Sequence, residues 1–318
     1  MQDQIISVLK SQSGYVSGEQ LSRDLKISRA GIWKNIDQLR RGGYDIIALP
    51  HHGYQLKNSP DKLFPREIQF GLKTKKCGQH ILYHDAIEST MQRAFQAGLD
   101  GAQEGTLVCA EGQTRGKGRM GRRWVSPKGK GLYCSLILRP NLPLSDIAPI
   151  TLLSAVALCQ AIKEVVDLSP QIKWPNDIFI NGKKVSGILT EMSAEMDRIQ
   201  FVVVGIGINV NNSAKDLIDV ATSLKKESGK KVSRVKLMQA LLCSFEGLYD
   251  QFLEEGAPPI IEQWKADSLT LGKRVRIEDQ GGSVEGEAID LDAHGGLMIK
   301  DKRGVIVKRM SGEVVFLN

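Results

Sequence analysis

The sequence lacks the features that mark secreted, membrane-spanning and cysteine-metal proteins. Its five cysteines are odd in number and widely scattered, and no CxxC pair exists, so neither a disulfide framework nor a zinc site is indicated. No apolar run approaches the roughly 20 residues that a bilayer requires, and the N-terminus MQDQIISVLK has no secretory apolar core. Sequence repeats and low-complexity tracts are also missing. We therefore expect a reduced, cytoplasmic protein that does not enter a membrane.

What remains is the composition of a globular protein with an excess of positive charge. The 318 residues suffice for about two or three domains. Apolar residues make up 42% and charged residues 25% of the chain, as is usual for globular proteins. The formal net charge of +7 favours anionic partners, and residues 115–130 contain seven Lys or Arg and no Asp or Glu.

Residues 1–58 have the pattern of a winged helix-turn-helix. Three short helices are predicted, and Ser28 is expected to cap the third. Ile32, Ile36 and Leu39 give that helix a single buried stripe. The segments YDIIAL and YQLK, joined at PHHG, predict a two-stranded hairpin. Such a motif places its later helix in the major groove of DNA.

The third predicted helix and the tip of the hairpin supply candidate contacts to DNA phosphates or base edges. These candidates are Ser28, Arg29, Lys34, Asn35 and His52. Trp33 is instead expected to pack against the hairpin. A module that makes only protein contacts is the alternative, because residues 1–58 hold eight basic and five acidic residues, a net charge of only +3.

The rest of the chain changes pattern twice. Residues 58–67, with two prolines, predict a linker, and a mixed α/β pattern follows it. The last fifty residues are short strands with glycine turns, which predict a small antiparallel barrel or sandwich. We therefore divide the chain into domains at 1–62, 63–268 and 269–318.

One segment of the central region, GQTRGKGRMGRRW (112–124), is rich in both glycine and arginine, and we call it the arginine–glycine loop. Glycines let backbone N–H groups approach a ligand, and guanidinium groups bind phosphate or carboxylate oxygens. The loop lacks the end of a P-loop, so phosphate binding, nucleic-acid binding and a solvated surface loop stay open. Because ordering about ten such residues costs on the order of 10 kcal/mol, we expect the loop to be mobile until a multiply charged ligand binds.

Three further motifs lie in the same region. KWPND (173–177) brings a lysine, an indole, an amide and a carboxylate to a strand end, where ordinary turn chemistry is the alternative. Lys183 and Lys184 begin the next strand, and alternation allows only one of them to point into a pocket. The glycines of GIGIN (205–209) weaken an apolar strand unless another group must come close.

Together these segments resemble biotin–protein ligases: IEST (87–90), EGQTRGKGRMGRRW (111–124), KWPNDI (173–178), KVSGILTE (184–191) and GIGINVN (205–211). With its N-terminal module, the whole chain resembles the bifunctional members that also repress biotin synthesis genes. The resemblance implies a multidomain α+β protein with a winged helix-turn-helix, a mixed α/β ligase domain of the class II synthetase-like type and an SH3-like C-terminal barrel. It implies that biotin and ATP form biotinyl-5′-AMP and pyrophosphate, after which biotin passes to a lysine on the biotin carboxyl carrier domain of a carboxylase.

The resemblance assigns four residues to catalysis. Arg119 and Arg122 would face the adenylate phosphate, and Lys184 would meet the biotin carboxylate and the α-phosphate. Asp177 would hold Mg²⁺ or position the acceptor amine, and Mg²⁺ would otherwise be carried by ATP. Positive charge suits this chemistry, because a carboxylate must approach a triphosphate of like sign.

The resemblance also implies a set of residues that bind biotin and the nucleotide. They are Ser89, Thr90, Met91, Gln113, Gly116, Lys117, Gly118, Arg119, Trp124, Asn176, Lys184, Gly187 and Asn209. Two of these positions depart from the usual family residues, since Lys117 stands for an arginine and Met91 for an asparagine. We expect Lys117 to alter retention of the adenylate but not to abolish activity, because lysine keeps the charge and loses the bidentate fork.

Regulation and alternatives follow from the same resemblance. Adenylate binding is expected to order loops and to promote a homodimer that binds a palindromic operator. A ligase with a non-functional DNA-binding module and a ligand-sensing transcription factor without catalysis are the alternatives. Lipoate–protein ligases are the alternative substrate class, although the arginine–glycine loop is more similar to the biotin branch.

Overall fold

The structure, a computed structural model, describes residues 1–196, 198–279 and 282–317. The chain divides into two compact units, Met1–Gly71 and Leu72–Asn318.

The first unit combines three helices, a β-hairpin and a short additional helix. Its elements are α1 (Gln2–Ser11), α2 (Gly18–Leu25), α3 (Arg29–Arg41), β1 (Asp45–Leu49), β2 (Gly53–Asn58) and α4 (Pro65–Gln69). Ser28 caps α3 as predicted, because its Oγ accepts a hydrogen bond from the Gly31 N–H (3.1 Å). The predicted stripe of Ile32, Ile36 and Leu39 is fully buried. The order of elements is that of the predicted winged helix-turn-helix.

Helix α4 differs from the open linker that the sequence predicted over residues 58–67. Glu67 is buried, and its carboxylate accepts hydrogen bonds from Lys10 Nζ (2.6 Å) and Tyr44 Oη (2.7 Å). Pro65 begins the helix, where its missing N–H has no intrahelical partner to lose. The packing therefore extends the first unit to Gly71, while the division into three domains stays a prediction.

The second unit is built on a mixed sheet that has seven strands in the described chain. The strands are β3 (Ile81–His84), β4 (Leu107–Ala110), β5 (Leu132–Leu138), β6 (Gln171–Lys173), β7 (Asp177–Ile180), β8 (Lys183–Glu195) and β9 (Arg198–Ile208). They lie in the order β3-β4-β5-β9-β8-β7-β6, with β3 and β4 parallel and the other neighbours antiparallel. Asn181 and Gly182 join β7 to β8 with φ values of 49° and 73°, as the predicted two-residue turn requires.

Helices supply the remaining core of this unit. They are α5 (Thr90–Leu99), α6 (Ala148–Val166), α7 (Leu224–Ser228), α8 (Arg234–Glu255) and α9 (Pro258–Ala266). Helix α5 packs on the sheet through Met91 and Ala94. Within the described residues, α6 alone is long and apolar enough to cross a membrane, but it is mostly buried and packs against α8 and α9. Its apolar sequence is therefore that of a core helix.

The last strands form a second, antiparallel sheet. They are β10 (Arg274–Asp279), β11 (Gly282–Leu291), β12 (Leu297–Lys300), β13 (Ile306–Arg309) and β14 (Glu313–Phe316). Their order is β13-β12-β11-β10-β14. Val275, Ile277 and Ile299 are fully buried beneath this sheet. Its closure into an SH3-like barrel stays a prediction.

Candidate active site

A cavity of about 760 Å³, which we call the central cavity, lies where the arginine–glycine loop meets the KWPND turn, strands β8 and β9, and the start of β14. The predicted ligand residues in its wall are Thr90, Met91, Gln113, Lys117, Gly118, Arg119, Arg122, Trp124, Asn176, Asp177, Lys184, Gly187 and Asn209. The structure therefore brings together nearly all the residues that the resemblance implied, from segments far apart in the sequence.

Two predicted residues, Ser89 and Gly116, lie beside the central cavity and not in its wall. Ser89 is 2% exposed at the start of α5, and its Oγ has no hydrogen-bond partner among the described residues. It borders a separate hollow of about 570 Å³, which Lys117 also lines. A Cβ at Gly116 would lie 2.5 Å from the Trp124 carbonyl oxygen, so a glycine is needed for the loop to fold back here.

The arginine–glycine loop forms an irregular hairpin in the structure. The Gly118 N–H donates to the Arg122 carbonyl (2.7 Å), and the Trp124 N–H donates to the Gly116 carbonyl (2.9 Å). These bonds place Arg119 and its neighbours at the tip of the hairpin, facing the cavity. The predicted mobility of the loop before a ligand binds stays a prediction.

The two loop arginines assigned to catalysis have different partners. Arg119 Nη1 donates to Asn176 Oδ1 (2.9 Å), and burial lowers the pKa of the Arg119 guanidinium. Arg122 is 64% exposed and forms a bidentate ion pair with Glu313 of β14, one contact of which measures 3.1 Å. The Glu313 carboxylate raises the pKa of Arg122, so this arginine remains a cation. A phosphate that binds the same two N–H groups of Arg122 would have to displace Glu313.

Lys184 is the inner member of the lysine pair at the start of β8. Its Nζ lies 2.7 Å from Asp177 Oδ1 and 5.7 Å from the centroid of the Trp124 ring. Lys183 is exposed at the rim. The alternation argument thus selects Lys184 as the lysine that reaches the centre of the cavity.

The glycines of GIGIN are explained by side chains that cross them. A Cβ at Gly205 would lie 2.2 Å from Met91 Sδ, and a Cβ at Gly207 would lie 2.5 Å from Trp124 Nε1. The prediction that another group comes close to this strand is confirmed, and the groups are the protein's own thioether and indole. The indole N–H has no hydrogen-bond partner within the described part of the chain, which leaves it available to a ligand acceptor.

Lys173 and Glu313 are among the charged residues of the central cavity to which the sequence assigned no ligand or catalytic role. Lys173 belongs to the KWPND motif, so its position beside Asp177 was a signal for it. Glu313 lies 191 residues from its partner Arg122, in a segment without a motif, and no local pattern indicates such a contact.

The candidate DNA contacts lie on α3 and the hairpin turn of the first unit. These residues are Ser28, Arg29, Lys34, Asn35 and His52. Arg29, Lys34 and His52 are exposed. Asn35 Nδ2 donates to the Gly31 carbonyl (2.8 Å), so in the structure its amide bonds to the helix itself.

Trp33 differs from its expected packing against the hairpin, because it is 62% exposed. It follows Ile32, the first residue of the buried stripe, and therefore lies outside that stripe.

Comparison with known proteins assigns each part of the chain. Residues 2–55 match the family model described as an HTH domain, residues 83–209 match the biotin/lipoate A/B protein ligase family, and residues 270–317 match the biotin protein ligase C terminal domain. The bifunctional ligase/repressor BirA of Bacillus subtilis (strain 168) is 44% identical over 303 residues, which cover 93% of this chain and 93% of that protein. The chain belongs to the bifunctional ligase/repressors of the biotin protein ligase family.

More distant proteins resemble the ligase in sequence and structure. The bifunctional ligase/repressor BirA of Escherichia coli (strain K12) is 27% identical over 308 residues, covering 96% of this chain and 94% of that protein. A structure of the biotin protein ligase from Aquifex aeolicus in complex with biotin and ATP has a TM-score of 0.66 and 29% identity, and it covers 75% of this chain and 99% of that one. The ligase/repressors therefore match this chain along nearly its whole length, including the winged helix-turn-helix.

Replacing Gly207 with alanine should reduce the rate of biotin ligation by the ligase about 10²-fold, because the added Cβ displaces the Trp124 indole and shifts the cavity wall. The rate of biotin transfer to a carrier domain would measure this effect. Gly247→Ala is the matched control, since a Cβ at that position in α8 meets nothing within 4 Å. Equal rates for the two variants would show that the indole position does not matter.

Proposed function

We propose that the ligase joins biotin to ATP in the central cavity and then transfers biotin to a lysine of a carboxylase's biotin carboxyl carrier domain. The observation that supports this most strongly is the convergence of Arg119, Arg122 and Lys184 on one cavity. A biotin carboxylate and a triphosphate repel each other, and fixed positive groups lower the free energy of their joint approach.

The first step is attack of a biotin carboxylate oxygen on the α-phosphorus of ATP. The bond from the α-phosphorus to the bridging oxygen breaks, and its electron pair leaves with pyrophosphate. Lys184 contacts both the carboxylate and the α-phosphate in this proposal, and its ion pair with Asp177 directs Nζ into the cavity. In the second step the acceptor lysine amine attacks the acyl carbon and AMP leaves.

The biotin ureido ring is assigned to the end of the cavity near the start of α5. Gln113 Oε1 accepts hydrogen bonds from the Thr90 N–H (2.7 Å) and Thr90 Oγ1 (3.1 Å), which fixes its amide there. Ser89 directly precedes Thr90, and its buried hydroxyl has no partner among the described residues; it borders the separate hollow, so it would have to turn toward the central cavity to bond the ring. Met91 lies over Gly205 beside them.

Magnesium is assigned to the phosphates of ATP. No group of three or more His, Cys, Asp and Glu side chains with metal-binding geometry occurs in the described ranges. Asp177 is the carboxylate nearest Lys184. A single carboxylate oxygen is a suitable ligand for an Mg²⁺ ion whose other ligands include phosphate oxygens. When bound, Mg²⁺ would neutralise phosphate charge.

The ligase assignment is tested by incubating the protein with labelled biotin, Mg-ATP and a carrier domain. Covalent label on the carrier lysine is the expected result. Labelled lipoate in a parallel reaction tests the alternative substrate class. A carrier that is labelled by lipoate but not by biotin would overturn the assignment.

We also propose that the reaction takes place in the cytoplasm. We assign the catalytic fold to the class II synthetase-like type and the C-terminal sheet to an SH3-like barrel.

We also propose that biotinyl-5′-AMP promotes a homodimer in which two copies of α3 contact a palindromic operator. Biotin and ATP together should raise operator affinity about tenfold or more, because ordering of the arginine–glycine loop is coupled to assembly. Gel shifts with and without both ligands would measure the change. The Lys184→Met variant should not respond, and unchanged affinity of the wild type would contradict the proposal. Deletion of residues 1–71 separates a ligase with a silent DNA-binding unit from a true repressor.

A further inference from the structure

We infer that Lys173 binds the β- and γ-phosphates of ATP and stabilises the pyrophosphate that leaves during adenylate formation. The inference rests on the proposed function of the central cavity. Lys173 ends β6 and lines the cavity wall beside β14, away from the predicted ureido end.

Two aromatic rings contact the Lys173 ammonium. Its Nζ lies 5.5 Å from the centroid of Phe179 on β7 and 5.1 Å from the centroid of Phe316 on β14. No carboxylate oxygen of the described residues lies within 4.0 Å of this Nζ. Ring faces attract a cation but leave its charge uncompensated, so the ammonium can still take a phosphate oxygen.

Two of the neighbouring cations, Arg122 and Lys184, differ from Lys173 in this respect. Arg122 is paired with Glu313, and Lys184 is paired with Asp177. Lys173 interacts with the same two carboxylates only at longer range, and its burial lowers the pKa of its ammonium. Partial burial of an unpaired cation is unfavourable unless an anion binds to it.

A series of contacts orders the groups along the cavity. Met91 lies over Gly205, and next to it on β9 the Trp124 indole lies over Gly207 and contacts Lys184. Lys184 is paired with Asp177, and Asp177 is the direct strand partner of Lys173.

The order of these contacts assigns one anionic group to Lys184 and another to Lys173. If the ureido ring lies by Thr90 and Lys184 meets the α-phosphate, the next cation along the series faces the β- and γ-phosphates. Charge builds up on these phosphates as the bond to the α-phosphorus breaks, so Lys173 would contact the leaving group and not biotin.

The experiment compares the two half-reactions in the full-length protein. Lys173→Met should reduce adenylate formation from biotin and Mg-ATP about 10²-fold, raise KM for ATP and weaken product inhibition by pyrophosphate. Transfer of biotin from supplied biotinyl-5′-AMP to the carrier domain should stay within about twofold of wild type, because pyrophosphate has already left. Lys173→Arg should restore part of the first half-reaction, since it keeps a phosphate-binding cation. Lys236→Met, at an exposed position on α8, is the control.

Other outcomes would overturn the inference. An equal loss in both half-reactions, repeated in Phe316→Leu, would show that Lys173 only holds the C-terminal sheet in place. Unchanged adenylate formation and pyrophosphate inhibition would exclude phosphate contact. If Lys173→Met does not fold, product inhibition by pyrophosphate is measured in Lys173→Arg instead. Inhibition that equals that of the wild type in this variant would count against the phosphate contact. A wild-type protein that forms no adenylate would instead refute the proposed function.

Discussion

Replacing Lys184 with methionine should slow the formation of biotinyl-5′-AMP about 10²- to 10³-fold, the largest catalytic effect expected in this chain. The variant loses the ammonium that lies 2.7 Å from Asp177 and 5.7 Å from the Trp124 ring, at the centre of the central cavity. Methionine keeps much of the side-chain volume, so the cavity shape should change little. Release of pyrophosphate in a single turnover would measure the rate.

The neighbouring lysine provides the matched control for this prediction. Lys183→Met removes an equal charge from the same end of β8, but Lys183 is exposed at the rim. Its rate should stay within about threefold of wild type. A similar loss in both variants would mean that general positive potential, and not a contact made by Lys184, accelerates the reaction.

Replacing Arg234 with methionine should lower the free energy of unfolding of the second unit by about 3–5 kcal/mol. Arg234 and Glu111 are 2% and 3% exposed in their side chains, and their charged groups are 2.8 Å apart. Without the guanidinium, the Glu111 carboxylate would stay buried and would lose this countercharge. Urea denaturation of the full-length protein would measure the loss as a lower midpoint.

Two further variants test the cause of that loss. Glu111→Met/Arg234→Met removes both charges of the buried pair, so much of the stability should return. Arg303→Met breaks a pair whose arginine is 83% exposed, and it should cost about 1 kcal/mol or less. If the double variant is no more stable than Arg234→Met, lost packing and not the unpaired charge explains the effect.

The same pair affects the active site. Glu111 directly precedes the arginine–glycine loop, and Arg234 Nη1 also donates to the carbonyl of Gly131, which directly precedes β5 (3.3 Å). One guanidinium therefore contacts the chain on both sides of the loop. The Arg234→Met variant should lose ligation as well as stability.

Local chemistry explains why much of the fold was predictable. The Ser28 cap, the stripe on α3 and the Asn181-Gly182 turn each depend on residues within a few positions of one another. The prediction failed at α4, because its position depends on the buried bonds of Glu67 to Lys10 and Tyr44. Such bonds leave no periodic signal in the sequence.

The candidate site was likewise predictable where the signal is local and not where the contacts are long-range. Motifs predicted which residues gather around the cavity, since each motif contributes several of them. They did not predict the bidentate pair of Arg122 with Glu313 or the contact of Lys173 with the Phe316 ring. Glu313 and Phe316 both come from β14, which is far from the motifs in the sequence. Those contacts depend on how the C-terminal sheet packs on the catalytic sheet.

The pair of Arg122 with Glu313 has a consequence for how strongly nucleotides bind. Glu313 offers Arg122 two carboxylate oxygens, the same fork that a phosphate would offer. If Arg122 binds the nucleotide phosphate as proposed, the nucleotide competes with an anion that the protein itself provides. The measured affinity then reports the difference between two occupants of one guanidinium, so a weaker internal competitor would make the nucleotide bind more tightly and AMP depart more slowly.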